Sequence, residues 1–279
     1  MKKILILSFL YEDALCLKEF ELLKEHYNKI IDYFCFPMKY YGVRAITDGE
    51  TRIDEENQII WLCTDDIEKY DKELTNKVYD CFKFIENSNI EYDAIIKTNT
   101  SFIINLQKAN YFTQQCDTEN SVLTGISYEY EIGSIGMFTV YRGNFAVFGK
   151  NTVQNIVSGF NISEIPLSIQ ILYDDIYFSY YLKDKADIFA FGQLAITHQY
   201  DIAPYDTIQN INSFFETMGV CIKIYEKDTP HHDKHKNDTE FDLNHRCADI
   251  SIMRLFINYI ESTLIHKRNE TLISRFVIC

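Results

Sequence analysis

Short unbroken apolar runs alternate with stretches of helical periodicity through the first hundred residues, and few folds accept that alternation. Strands of a parallel sheet are covered by helices on both faces, so they read as continuous apolar runs and not as an every-other-residue pattern. Residues 3–10, 30–36, 58–63 and 93–97 have this character, the third being Gln58-Ile59-Ile60-Trp61-Leu62-Cys63. Between them, residues 13–27 place Leu15, Phe20, Leu23 and Tyr27 on roughly one side. Residues 68–87 space Tyr70, Leu74, Val78, Cys81, Phe82 and Ile85 as an amphipathic helix does. Residues 37–57 are polar, contain Gly42 and Gly49, and read as an irregular connection. The economical solution is a mostly parallel sheet flanked by helices, an α/β fold.

The second half is less regular. Residues 121–127 and 137–148 read as strands, 150–159 and 172–183 as helices, and 187–197 as one or two strands. A helix over 206–217 and a strand over 218–226 follow. A polar stretch rich in His, Asp, Lys and Asn over 227–246 reads as a mobile loop, and a closing helix spans 248–268, with Ile252, Leu255, Phe256, Tyr259 and Ile260 on its apolar side. No repeat or interdomain linker interrupts the 279 residues, so one domain is expected, with a nucleotide-binding half (1–115), an acceptor and catalytic half (116–204) and a C-terminal lid and closing helix (205–279).

A formal charge of −14 with no basic stripe repels a phosphate backbone, which excludes nucleic acid as a partner. Two or three well-placed cations can still hold a small polyanion on an acidic protein. The eight cysteines form no C-x-x-C pair and read as reduced, buried thiols. The basic, apolar start Lys2-Lys3-Ile4-Leu5-Ile6-Leu7 breaks at Glu12 and Asp13 with no small-residue cleavage site. It therefore reads as a first strand and not a signal peptide, and a cytoplasmic location is expected.

In an open α/β sheet ligands bind beyond the carboxyl ends of the strands. The chain leaving the strand at 93–97 reads Lys97-Thr98-Asn99-Thr100-Ser101-Phe102-Ile103-Ile104-Asn105. Upstream lies Leu74-Thr75-Asn76-Lys77. Downstream lie Tyr141-Arg142-Gly143-Asn144-Phe145, Tyr173-Asp174-Asp175-Ile176-Tyr177 and Ile196-Thr197-His198. In order and spacing these blocks, spanning about residues 70 to 200, resemble the fringe and β-1,3-galactosyltransferase group of glycosyltransferases. The resemblance implies a GT-A-like fold, a UDP-sugar donor, a glycan or lipid-linked oligosaccharide acceptor and an inverting transfer. It assigns the catalytic base to Asp175, donor or diphosphate contacts to Ser8, Lys77, Lys97, Asn99, Thr100, Ser101, Arg142, Gly143, Asn144 and His198, and acceptor contacts to Asp174 and Tyr177. It points to a hexose or N-acetylhexosamine donor and a surface-glycan acceptor, with peripheral contact at the inner membrane face.

One departure is chemical. In that group the turn carries acids that hold manganese, whereas Asn99, Thr100 and Ser101 offer neutral oxygens, and hard divalent cations want anionic ones. No metal site is assigned and no cofactor is required, with weak Mn2+ or Mg2+ binding through His198 and the diphosphate as the alternative. Lys97, Arg142, Lys223 and Arg246 are the cations expected to meet the leaving group instead. Arg246, at the start of the closing helix, suits a basic lid, and equally a surface pair with Asp249. Asp174 and Asp175 also suit a helix start, Asp65-Asp66 suit a cap, and His231-His232-x-x-His235 lacks the companions of a zinc site. Two other classes remain open: a nucleotide-sugar-binding protein without turnover, and a nucleotidyltransferase, against which stands the lack of a glycine-rich phosphate loop.

Overall fold

The computed structural model describes residues 1–10, 14–64, 72–100, 102–115, 119–125, 127–133, 136–141, 145–166, 169, 174–190, 195–196, 221–223, 250, 253–254, 257–258 and 260–262. The chain divides into two compact units, Met1–His198 with Met218–Lys223, and Gln199–Thr217 with Ile224–Cys279. In the second unit Met253 and Ile257 are buried helical residues, whereas Ile260, expected on the apolar side of the closing helix, is half-buried, and Ile252, Leu255, Phe256 and Tyr259 lie outside the described residues. The helix expected over 206–217 and the loop over 227–246 lie outside the described residues.

The first unit is built on an eight-stranded sheet. Its strands are β1 (Ile4–Phe9), β2 (Met38–Ile46), β3 (Arg52–Asp54), β4 (Ile59–Cys63), β5 (Ala94–Thr98), β7 (Ser121–Thr124), β10 (Phe145–Gly149) and β11 (Asp187–Ala190), in the order β11-β7-β10-β5-β1-β2-β4-β3. β1 runs parallel to both β2 and β5, and β2 parallel to β4. β10 and β3 run against their neighbours. Two smaller sheets accompany it: β6 (Phe102–Ile104) with β13 (Cys221–Lys223) and β12 (Ala195–Ile196), and the hairpin of β8 (Ser127–Ile132) with β9 (Gly136–Tyr141).

Each face of the sheet has its own cover. On one, Leu5, Leu7, Phe9, Val43, Ile60, Ile95, Ala146 and Phe148 pack in one core with α2 (Lys72–Asn87), α4 (Lys150–Gly159) and α5 (Asp174–Leu182), through Val78, Phe82, Ile85, Val153, Ile156 and Phe178. On the other, α1 (Ala14–Phe34) sets Phe20 and Tyr27 against Tyr40 of β2, with ring centroids 5.4 and 4.9 Å apart, the second pair edge to face. Between these two apolar layers the central strands β1 and β5 are buried throughout, while the edge strands β3 and β11 stay partly exposed.

Two sequence expectations change here. Residues 30–36 are not a strand: α1 continues to Phe34, and Cys35 in the left-handed region (φ 52) ends it, with the Phe36 N–H bonding back to the Ile31 carbonyl at 3.0 Å. A short apolar run fits helix and strand alike, and here the helix wins. Conversely, β2 and β3 lie within the stretch read as irregular. Gly42 breaks the apolar run of β2 for a packing reason, since a Cβ there would lie 2.7 Å from Leu10 Cδ1 and 2.8 Å from Phe20 Cε2. β6 and α3 (Leu106–Gln115) add to the pattern, α3 being capped by Asn105, whose Oδ1 accepts from the Lys108 N–H at 3.1 Å. Of the cysteines, Cys16 and Cys81 are buried free thiols as expected, and burial pushes the Cys81 thiol up. Cys35 and Cys63 are exposed, the first because it occupies the helix stop, the second because it ends β4 on its outward alternation.

Candidate functional site

Strand order reverses at β1: the chain passes through α1 to β2 on one side, and β5, reached through α2, pairs on the other. Carboxyl ends that diverge in this way leave a crevice between them, the switch point at which open α/β sheets take ligands. In register, Ser8 pairs with both Gly42 and Thr98, so the crevice mouth is formed by Ser8, Phe9 and Leu10 on one side and Thr98, Asn99 and Thr100 on the other.

Polar side chains secure both edges from both faces. On the α1 face, Ser8 is wholly buried and its Oγ accepts from the Tyr40 hydroxyl at 3.0 Å. Burial holds the Tyr40 phenol far above its ordinary pKa, with the Ser8 hydrogen bond pulling the other way. Also on this face, Thr100 Oγ1 donates to Glu19 Oε2 at 2.7 Å and lies 3.3 Å from Cys16 Sγ. On the α2 face, Lys77 Nζ donates to the Leu10 carbonyl at 2.7 Å, tying off the end of β1. Lys97, only 1% exposed, places Nζ 6.0 Å from the centre of the Phe9 ring. The turn itself closes when the Phe102 N–H bonds to the Asn99 carbonyl at 3.2 Å.

Other residues read from the sequence arrive by different routes. Phe145, which follows Arg142-Gly143-Asn144, pairs with Thr98, and the backbone of Lys223 pairs with Phe102. Asp174 and Asp175 open α5, which packs on β9 and on α2, the helix that carries Lys77. Asp175 is half-buried and its Oδ1 accepts from the Ile176 N–H at 2.9 Å, which fits the helix-start reading as well as the catalytic one. Tyr177 is fully buried in the core that α2 and α5 share. Ser101, Arg142, Gly143, Asn144, His198 and Arg246 lie outside the described residues, as do Asp65, Asp66 and the His231–His235 cluster.

The side chains of Asn99 and Thr100 offer neutral oxygens, and the Thr100 hydroxyl donates its proton inward to Glu19. Among the described residues no three His, Cys, Asp or Glu side chains gather into a metal-binding group. Sequence reading missed Glu19, Tyr27 and Tyr40. The available signal for Glu19 was its place in a stripe: Cys16, Glu19, Leu23 and Tyr27 recur at helical spacing, all are buried, and one is an acid.

Among the described residues no helix is long and apolar enough to cross a membrane. No family model matches the chain, and no curated protein matches it in sequence. Solved structures do. A glycosyltransferase involved in the glycosylation of the major capsid of PBCV-1 superposes with a TM-score of 0.51 at 10% identity, over 91% of this chain and 99% of that one. The glycosyltransferase GlyE of Streptococcus pneumoniae TIGR4, in its apo form, gives 0.42 at 12% identity over 94% of this chain and 64% of that one. A putative glucose-1-phosphate thymidylyltransferase from Bacillus anthracis gives 0.38 at 10% identity over 68% and 86%. The first of these carries the fold: the chain has the mixed α/β, GT-A-like architecture of that capsid glycosyltransferase, with a large, mostly parallel sheet between helical layers.

Proposed function

We propose that the chain is an inverting glycosyltransferase that moves a hexose or N-acetylhexosamine from a UDP-sugar to a sugar hydroxyl, the acceptor being an intermediate of a bacterial surface glycan. The observation that carries this reading is the switch point of strand order between β1 and β5, where the carboxyl end of β5 turns through Asn99 and Thr100 beside Ser8. The GT-A-like fold is the one in which such a switch point receives a nucleotide-sugar. In the proposed reaction the acceptor oxygen forms a bond to the anomeric carbon, the bond from that carbon to the diphosphate breaks, UDP departs with the electron pair, and Asp175 takes the acceptor's proton. A single positioned base suffices for this, unlike glycoside hydrolysis, where two carboxylates flank the bond.

Lys97, Lys223, Arg142 and Arg246 supply the positive charge for the leaving group in this reading, and transfer needs no metal. The reaction takes place on the cytoplasmic side, with the protein at most peripheral to the membrane. The test is release of UDP from a panel of UDP-sugars with and without glycan acceptors. Asp175→Asn should lower turnover by roughly 10²- to 10⁴-fold while leaving UDP affinity in place. Undiminished turnover in that variant removes Asp175 as the base. The neutral turn favours one second reading, a nucleotide-sugar-binding protein without turnover, for which tight UDP binding with no UDP release from any donor is the signature.

A further inference from the structure

The buried side of α1 is mostly apolar, its polar members being Glu19 and His26. Cys16, Leu23 and Tyr27 line it, and Glu19 stands between them with 1% of its surface exposed. Burying a carboxylate costs several kcal/mol unless hydrogen bonds compensate, and an apolar residue of similar volume commonly serves stability as well or better. An acid kept in such a stripe therefore calls for a geometric reason. One is Thr100, 81 positions away, whose hydroxyl gives its proton to Glu19 Oε2 at 2.7 Å. A threonine hydroxyl has one proton to give, so it cannot donate to a phosphate oxygen while that bond stands. Two helical turns further along the same face, the Tyr27 hydroxyl accepts from the Ile104 N–H at 2.9 Å and approaches the Phe102 carbonyl at 3.4 Å. A single helix thus holds both the turn at Thr100 and the β6 strand that follows it.

We propose that Glu19 is a positioning residue for the donor site: by holding Thr100 from beneath, it fixes the Asn99–Thr100 backbone where the diphosphate of a UDP-sugar is received. This deepens the glycosyltransferase reading and rests on it. It also reassigns Thr100, which becomes the internal anchor of the turn, so that the turn's ligand contacts fall to its backbone and to its neighbours.

The experiment is UDP binding measured by calorimetry on wild type, Glu19→Leu, Glu19→Gln, Thr100→Val, Thr100→Ser and the Leu/Val double variant, each with its melting temperature. Glu19→Leu and Thr100→Val should each weaken UDP by about tenfold, the equivalent of one charge-assisted hydrogen bond's worth of ordering. Glu19→Gln and Thr100→Ser keep an acceptor and a donor, and should restore affinity to within about twofold of wild type. The double variant should be no weaker than either single one, because both act through one bond. Wild-type affinity in Glu19→Leu, or fully additive losses in the double variant, overturns the positioning role and leaves the proposed function standing. If wild type binds no UDP, the proposed function falls first and this inference with it. Should Glu19→Leu fail to fold, the Thr100→Val and Thr100→Ser pair decides alone: equal affinity in the two overturns the proposal.

Discussion

Replacing Tyr27 with Phe tests the grip of α1 on the segment after β5 with the loss of a single oxygen. The ring stays, and with it the edge-to-face contact to Tyr40 at 4.9 Å. What disappears is the acceptor of the Ile104 N–H, a backbone donor in a residue with no solvent exposure. The longer 3.4 Å approach to the Phe102 carbonyl is lost as well, and being near the outer limit of a hydrogen bond it adds little. A buried donor left without an acceptor costs about 1–3 kcal/mol. Unfolding entropy of about 2.1 cal/mol/K per residue, taken over this chain, turns a 2 kcal/mol loss into a melting-temperature drop of roughly 3–4 °C. Tyr111→Phe is the matched control, because that hydroxyl belongs to an exposed side chain and its removal should leave the melt unmoved. The assay is a thermal melt of the three proteins followed by circular dichroism. If Tyr27→Phe melts with wild type to within one degree, the bond does not anchor this segment and the grip of α1 on β6 is wrong.

Gly42→Ala should destabilise by about 1–3 kcal/mol, because its methyl group meets Leu10 and Phe20 at 2.7 and 2.8 Å and both must shift; an unchanged denaturation midpoint contradicts that packing. Stability should fall at alkaline pH. Burial raises the phenols of Tyr40, Tyr41 and Tyr92 in the folded state, with Glu55 reinforcing Tyr41 and Glu86 reinforcing Tyr92. A raised folded value means that their contribution is whole below the unfolded value of about 10 and drains away as pH climbs above it. A urea midpoint that holds steady well past that pH is the contrary result. Saturating EDTA should leave UDP-sugar turnover intact, and loss of turnover restored by manganese alone refutes the metal-independent reading.

The main strands and helices were legible because burial on two faces writes an unmistakable pattern. Ile4 to Phe9 and Ala94 to Thr98 are buried throughout, and the sequence carries them as short, mostly apolar runs whose polar members, Ser8, Lys97 and Thr98, stand at their carboxyl ends. β2 escaped because its pattern is broken by Lys39, Gly42 and Arg44, each for a local cause. Lys39 faces outward, Gly42 makes room for Leu10 and Phe20, and Arg44 lays its guanidinium 4.9 Å from the Trp61 ring. The last two cannot be read along the chain, since their neighbours lie far away in sequence. The segment 30–36 failed for the opposite reason, as its apolar content satisfies two periods and only the left-handed stop at Cys35 settles which.

The site was less legible than the fold because its groups act across long separations. The turn at Asn99 and Thr100 stood out as the exit of a buried strand, but what holds it sits on α1, and what holds the end of β1 sits on α2. These two supports are the same device used twice. Glu19 in the inner stripe of α1 and Lys77 in α2 are both charged residues turned inward, and each is hydrogen-bonded to the strand end at the switch point: Thr100 beyond β5 and Leu10 beyond β1. The signs differ with the partner, a carboxylate for a hydroxyl donor and an ammonium for a carbonyl acceptor. A charge that interrupts the apolar stripe of a helix packed on the sheet therefore points to the strand end it holds. In this chain two such charges, on helices covering opposite faces, converge on the one crevice where the strand order reverses.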